Sequence, residues 1–351
     1  ADSKKNRRET KRMRSNPPRL LAKLAEVLYN TDMKSLLRPL ALLLALLLLL
    51  TGCASLHGCF DAPDASAAEK QAKRDALLSA RPVWGQAGTP ALSVTVIDVG
   101  QGDSILLVSP EGKTMLVDAG PVDAFSSISD TLQTSGISAL DVVVATHPHD
   151  DHIGSMASVL DAYPVGAFYT IAEEQPTGAY TAMRAALERN GCPVYYAEGG
   201  MTIPWAESCT VTVLNPIASY ADSETELNDL SVVLHVRCGD TAVLLTGDAE
   251  ETAENRMLDT FPASMLKADV LKLGHHGSST STCVAFFLAV DPDCAVASCG
   301  SGNEYGHPHY ETLSLLYDTD TAFYGTDMDG SVTFQLDGKM IAVETSRKET
   351  P

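Results

Sequence analysis

Residues 147–152 read His-Pro-His-Asp-Asp-His, three imidazoles and two carboxylates in six consecutive positions. Placing so many polar groups beside a sheet is costly unless something binds them, and imidazole with carboxylate suits zinc, manganese or iron. His147 and His149 alternate, so an extended segment points them the same way. Asp151 and His152 come one position later, where the chain is expected to turn into a helix, and are placed to address a second ion. The competing reading is a solvated charged loop, since short motifs also arise without function.

Two other loops repeat the theme. Gly274-His275-His276-Gly277-Ser278 follows the apolar run 270–273, and Asn303–His309, with His307 and His309, follows the run 294–298. Seven of the nine histidines lie in these three loops, as side chains converging on one sheet edge would. Ala242–Asp248 is a further apolar strand ending in Gly-Asp. No Ser-His-Asp or Cys-His arrangement competes for the chemistry.

The elements that must position these groups follow from hydrophobic period. Residues 92–98 alternate as a strand, and 105–108 and 115–120 continue it through glycine-bearing turns. Val142–Ala145 is a short buried strand directly before the histidine loop. Helical patterns fall at 124–135, 152–160, 180–189 and 249–258, with strands between them. Such β/α alternation implies a layered α/β sandwich.

His-x-His-x-Asp-His after a hydrophobic strand resembles the signature of the metallo-β-lactamase superfamily. Asp98-Val-Gly-Gln-Gly-Asp-Ser104 and the Asn303–His309 segment resemble, within it, the hydrolase domain of ComEC competence proteins. The resemblance runs over about residues 91–345. It implies a four-layer αβ/βα sandwich holding one or two divalent ions, zinc or manganese, at a sheet edge. His147, His149, Asp151, His152 and His275 are the implied ligands, and Asp248 the carboxylate shared between ions. Asp118 is implied as a brace for the metal loop. Ions there would activate water for attack on a phosphoryl or carbonyl centre. Asp151, His276 and His307 are the expected catalytic residues, His276 and His307 facing substrate; His309 is expected as a surface or capping residue. Where many relatives carry another metal-binding histidine, this chain has Asn228 and Ser231, which departs from a symmetric lactamase pair. His235 reads as an ordinary strand residue.

Charge divides the chain. Residues 1–38 hold eleven of the 25 Lys/Arg and four of the 45 Asp/Glu, so residues 53–351 hold fourteen and forty-one. Residues 1–32 read as an upstream extension outside the product. Met33 then opens a lipoprotein-type signal peptide over 33–52, whose apolar run 39–50 is short for a membrane span of about 20 residues. Leu50-Thr51-Gly52-Cys53 resembles a lipobox, which implies lipidation of Cys53 and a body on the extracytoplasmic face; a signal anchor is the alternative. Residues 53–90 are expected as a flexible tether with a short helix near 67–79, and 91–351 as the hydrolase domain. Cys294 with Cys299, or Cys192 with Cys209, are conceivable disulfides, and free thiols are equally compatible. The ComEC resemblance implies a phosphodiesterase or nuclease acting on DNA. The acidic body argues against non-specific attraction to a polyanion, with a basic strip at Lys267 and Lys272 offsetting it in part. Teichoic-acid phosphocholine or small nucleotides are therefore the alternative substrates, and a non-catalytic metal-binding lipoprotein the alternative outside enzymology.

Overall fold

The structure, a computed structural model, describes residues 66–89, 91–218 and 225–347. The expected extension, signal peptide and Cys53 lie outside these residues. No helix among the described residues is long and apolar enough to cross a membrane.

Helix α1 (Ala67–Ser79) precedes the strands β1 (Leu92–Val96), β2 (Ile105–Val108) and β3 (Thr114–Val117). Then come α2 (Phe125–Thr134), β4 (Leu140–Val144), α3 (Met156–Ala162), β5 (Val165–Thr170), α4 (Gly178–Asn190) and β6 (Val194–Tyr196). The second half runs β7 (Thr202–Ile203), β8 (Cys209–Asn215), β9 (Val233–Cys238), β10 (Thr241–Leu245), α5 (Glu251–Thr260) and β11 (Val270–Lys272). It ends with α6 (Val284–Val290), β12 (Cys294–Ala297), α7 (Tyr310–Asp318), β13 (Ala322–Gly325), β14 (Val332–Leu336) and β15 (Ile341–Thr345).

These strands form two sheets, ordered β15-β14-β1-β2-β3-β4-β5-β6 and β13-β12-β11-β10-β9-β8-β7. Three apolar layers hold them together. Alternate residues such as Val94, Val96, Val142 and Val144 meet Val211, Val213, Leu234 and Val236 between the sheets. On the outer face of the first sheet, Leu106, Leu116, Val143 and Phe168 pack against Ile128, Leu132, Val159 and Leu187 of the helices. On the outer face of the second, Leu244, Leu271 and Ala295 pack against Met257, Phe286, Phe287 and Leu316. Helix, sheet, sheet, helix is the four-layer α/β sandwich that the sequence implied.

Parallel pairing decides where the polar loops fall. β3, β4 and β5 run parallel, as do β10, β11, β12 and β13. Their carboxyl ends therefore deliver Asp118, the 147–152 loop, Asp248, the 274–277 turn and Ser298 to one side, where α/β sheets bind ligands. The 98–104 turn presses onto the histidine loop at Gly102 (φ +136°), where a Cβ would lie 2.2 Å from the Asp151 carbonyl oxygen. Only glycine fits there.

Two expectations are corrected. Neither conceivable disulfide forms. Cys209 instead bonds Cys238, its direct partner in the β8–β9 register, while Cys192, Cys283, Cys294 and Cys299 are free thiols. A cross-strand pair depends on register, which cysteine spacing alone does not carry.

The tether expectation fails for the stretch that leads into β1. From Ala72 the chain belongs to the compact body. Leu77 is buried, the Trp84 indole donates to the Tyr324 hydroxyl (2.7 Å), and Arg81 grips both Asp329 oxygens (2.8 and 2.6 Å). Arg81 also donates to the Phe323 carbonyl (2.8 Å) and lies over the Tyr324 ring. One apolar, one aromatic and one cationic anchor, Leu77, Trp84 and Arg81, fix a segment whose composition is otherwise polar. Truncating one partner of a buried pair strands the other's charge, at about 3–5 kcal/mol. Arg81→Ala is therefore expected to lower unfolding free energy by about that amount in urea titrations, with the metal site intact.

Candidate metal centre

Asp118 ends β3 at φ +60° and accepts three hydrogen bonds from one loop. Its Oδ1 takes the Thr146 N–H (2.8 Å), and its Oδ2 takes the Thr146 hydroxyl (2.7 Å) and His152 Nδ1 (2.8 Å). With Asp118 fully buried, this brace sets both the strand exit and the ring plane of His152. With that N–H given to a carboxylate, the other ring nitrogen points into the site and offers a lone pair to an ion whenever the ring is neutral.

The same device recurs around the site. His276 Nδ1 gives its proton to the Ser298 carbonyl (2.9 Å), and His275 Nδ1 gives its proton to Glu250 Oε1 (2.8 Å). His147 Nδ1 lies 3.2 Å from the Ser231 hydroxyl and 3.1 Å from that of Thr146. Each of these four rings then turns Nε2 towards Asp248, at 3.2 Å for His152, 3.4 Å for His276, 3.8 Å for His275 and 4.0 Å for His147. His149 Nδ1 lies 2.9 Å from His147 Nε2, and Asp151 Oδ2 lies 3.2 Å from His276 Nε2. Three of the expected ligands, His147, His152 and His275, therefore face Asp248 together with His276, and His149 and Asp151 adjoin them through His147 and His276. His152 faces Oδ1 of Asp248, while His276, His275 and His147 face its Oδ2.

Sequence reasoning ranked His275 inside His276, and the geometry ranks them the other way. His276 is 1% exposed and joins Asp103, His152 and Asp248 in a cluster whose ligand atoms lie within 4.8 Å of one another, whereas the His275 side chain is 27% exposed. Both residues sit at positive φ (44° and 57°) between two glycines, so simple alternation does not predict where either points. Asp103 was missed. It sits in the quoted Gly-Gln-Gly-Asp-Ser run, but an acid beside a turn glycine carries no ligand signal by itself. Lys272 was misread as part of a basic strip. It is fully buried, 2.5 Å from Asp103 Oδ2 and 4.0 Å from Asp248 Oδ1, and donates to the Gly247 carbonyl (3.1 Å). Lys267, the other member, is ion-paired with Asp291 at the surface.

The departure at 228–231 has a structural use. Ser231 Oγ accepts the Asp248 N–H (3.1 Å) while touching His147, and Asn228 donates to Glu250 (3.2 Å). Both residues support groups of the site. His235 is bonded to the Lys267 carbonyl (2.9 Å), away from the centre, as a strand residue. His307 is 6% exposed, 5.5 Å from the His275 ring and 6.0 Å from the His276 ring, and its Nδ1 has no partner. His309 stands at the start of α7 but makes no capping bond with its side chain, tying two loops together instead.

Electrostatics describes a pocket that wants positive charge. Burial works to raise Asp248, yet the charges of His152 and His276 hold it well below the usual carboxylate range. Burial likewise works to lower His152 and His276, and nearby carboxylates, Asp248 foremost, hold both well above the usual imidazole value. His147 is depressed, by burial first and by the charge on His152 second. His152 Nε2, Asp248 Oδ1 and Asp103 Oδ1 are buried without a hydrogen-bond partner. His152 Nε2 and Asp248 Oδ1 are close but not aligned to bond each other. Orphaned buried ligand atoms of imidazole and carboxylate type, each oriented from behind, fit a divalent ion.

Residues 97–193 match the metallo-beta-lactamase superfamily, and the chain is a metallo-β-lactamase-fold hydrolase of that superfamily. Within it, the chain is similar to competence proteins. It is 31% identical to ComE operon protein 3 of Bacillus subtilis over 265 residues, covering 69% of this chain and 33% of that protein. It is 30% identical to Recombination protein 2 of Haemophilus influenzae (76% and 31% covered), and 31% identical to Competence protein ComA of Neisseria gonorrhoeae (70% and 32%). The chain thus spans about a third of the length of these relatives.

Two expectations for the bench follow from this geometry. Stripping divalent ions with a chelator is expected to lower the melting temperature, and zinc or manganese at about 100 times Kd to restore about 2.7 kcal/mol; an unchanged melting curve contradicts a resident ion. The second concerns Glu254, which fastens α5, the helix after Asp248, to the loop after His276 by accepting Thr282 N–H (2.5 Å) and Cys283 N–H (2.7 Å). Burial pushes its carboxyl up to about 7, outweighing those donors. A raised carboxyl contributes stability below the unfolded value of 4.5 and loses it as pH rises through about 7. Glu254→Gln, uncharged at every pH, should gain on the wild type by up to about 3 kcal/mol between those values, read by urea unfolding.

Proposed function

We propose that this hydrolase is a divalent-metal-dependent phosphodiesterase, held at the extracytoplasmic face of a bacterial membrane through lipidated Cys53, with DNA as its first candidate substrate. The observation that carries the chemistry is Asp248, buried and faced by the Nε2 atoms of four imidazoles from both sheets. His147, His149 and His275 would hold one zinc or manganese ion, Asp151, His152 and His276 the other, with Asp103 beside the second. An ion bound there supplies a Lewis acid for the phosphoryl oxygens and lowers the pKa of water towards neutrality.

The chain's own residues supply orientation. Asp118, Ser298, Glu250 and Ser231 fix the four imidazole planes, so that no ligand has to reorganise as substrate binds. Lys272 holds Asp103 in place and balances part of the carboxylate charge. His307 is held neutral, lowered to about 3 by burial and by the charge on His276. A neutral imidazole beside the site can accept or donate a single hydrogen bond to substrate without adding charge.

The relation to competence proteins supports DNA. The burial of Lys272 and the pairing of Lys267 favour a second reading, a small phosphodiester such as a nucleotide or teichoic-acid phosphocholine. Both leave the site without a free basic strip for a long polyanion.

Purified protein loaded with zinc or manganese is expected to cleave bis-p-nitrophenyl phosphate and single-stranded DNA but not nitrocefin. His149→Ala is expected to lower kcat by more than about 100-fold, beyond what loss of an outer support causes. Turnover of nitrocefin alone would move the protein to lactam chemistry. Metal uptake without any turnover would make it a binding protein.

A further inference from the structure

We propose that Tyr305 is a stacking platform for a planar aromatic ring of the substrate, a nucleobase one sugar removed from the phosphodiester that meets the His275–His276 loop. The proposal rests on the phosphodiesterase reading and names the class of group that reading leaves open.

Tyr305 is 67% exposed, more than any other tyrosine among the described residues. Its ring lies nearly parallel to His307, at 5.6 Å and 20°. His307 in turn lies against His275 and His276, so Tyr305 is one ring removed from the centre. One face of the phenol is backed by an imidazole, and the exposed remainder is open to a third ring.

The platform is rigidly built. His309 Nε2 donates to the Tyr305 carbonyl (2.9 Å), and its Nδ1 accepts the Ser279 N–H (2.9 Å), tying the tyrosine to the turn that follows His276. Asn303 donates to the Gly300 and His307 carbonyls (2.9 and 2.8 Å) and accepts the His307 N–H (2.9 Å). These bonds hold the Tyr305 backbone beside the turn that follows His276. A second observation points to a ligand here. His307 is more than nine-tenths buried, and its Nδ1 has no hydrogen-bond partner.

Stacking also answers the charge problem. Proteins that hold single strands combine a basic groove with aromatic platforms, and stacking works whatever the base because every base has a π-face. Where free lysines are lacking, the aromatic part must carry more of the affinity.

The test compares a short thymidine oligonucleotide with an abasic strand of equal length. Tyr305→Ala should raise KM for the thymidine strand by roughly five- to hundredfold, leave kcat and the abasic strand unchanged, and be rescued by Tyr305→Phe. Equal effects on both strands, or no effect on either, overturn the platform. If the wild type cleaves neither strand, the DNA reading fails on its own, and if it also leaves bis-p-nitrophenyl phosphate intact the phosphodiesterase reading fails with it. Fluorescence anisotropy of the two labelled strands then decides the platform without turnover: thymidine preference lost in Tyr305→Ala supports it, and equal binding overturns it.

Discussion

A carboxylate with 2% exposure, Asp248, faces four imidazole nitrogens and an ammonium, and the architecture of both sheets converges on keeping it there. Burying an ionised carboxylate is strongly unfavourable unless positive charge and hydrogen bonds compensate it. Lys272 supplies one fixed charge, but Lys272 is already matched to Asp103 at 2.5 Å. The remaining demand falls on protons or ions. The proton-favouring shifts of His152 and His276 and the orphaned atoms beside them are two views of that one demand.

Satisfying it requires loops from both sheets, which explains the layered fold. His147 and His152 come from β4 of the first sheet, Asp248 and His276 from β10 and β11 of the second. The two sheets meet through an apolar layer, so their relative position is set by close packing. The inner layer and the site are thus mechanically one object: a shift between Val144 and Leu245 moves His147 relative to Asp248. Hydrogen bonds across the gap add to this. Ser298 of the second sheet donates to the Gly102 carbonyl (2.7 Å), and Gly247 presses against Thr146.

Much of this was legible in the residues. A hydrophobic strand followed by a dense histidine run, and three such strand ends in one chain, located the loops that meet. Asp118 was legible only through the resemblance, which implied a brace at that strand-end corner where a simple turn aspartate was the alternative. What escaped depends on backbone turns or on partners distant in sequence. His275 and His276 are adjacent and identical in type, and only two consecutive left-handed conformations decide which one faces Asp151. Lys272 looks like any strand lysine until the carboxylate opposite it is known. Cys209 and Cys238 are 29 residues apart, and register alone brings them together. The docking of Arg81 on Asp329 spans 248 positions, which no local pattern can encode.

The acidic surface and a phosphodiester substrate pull against each other, and the position of the positive charge bears on the outcome. A free lysine strip would attract any polyanion and make affinity depend steeply on salt. In this chain the lysine nearest the centre is turned inward and spent on Asp103, so its charge acts on ligands rather than on approaching substrate. Under the proposed function, such a site would attract long strands weakly at a distance and rely on contacts at the ions and at the ring, which screening affects less. On the proposed reading, a preference for single-stranded or short substrates would follow from charge placement. A duplex keeps its bases stacked inside and would offer the proposed Tyr305 platform nothing, while a splayed strand would offer both a phosphate and a base.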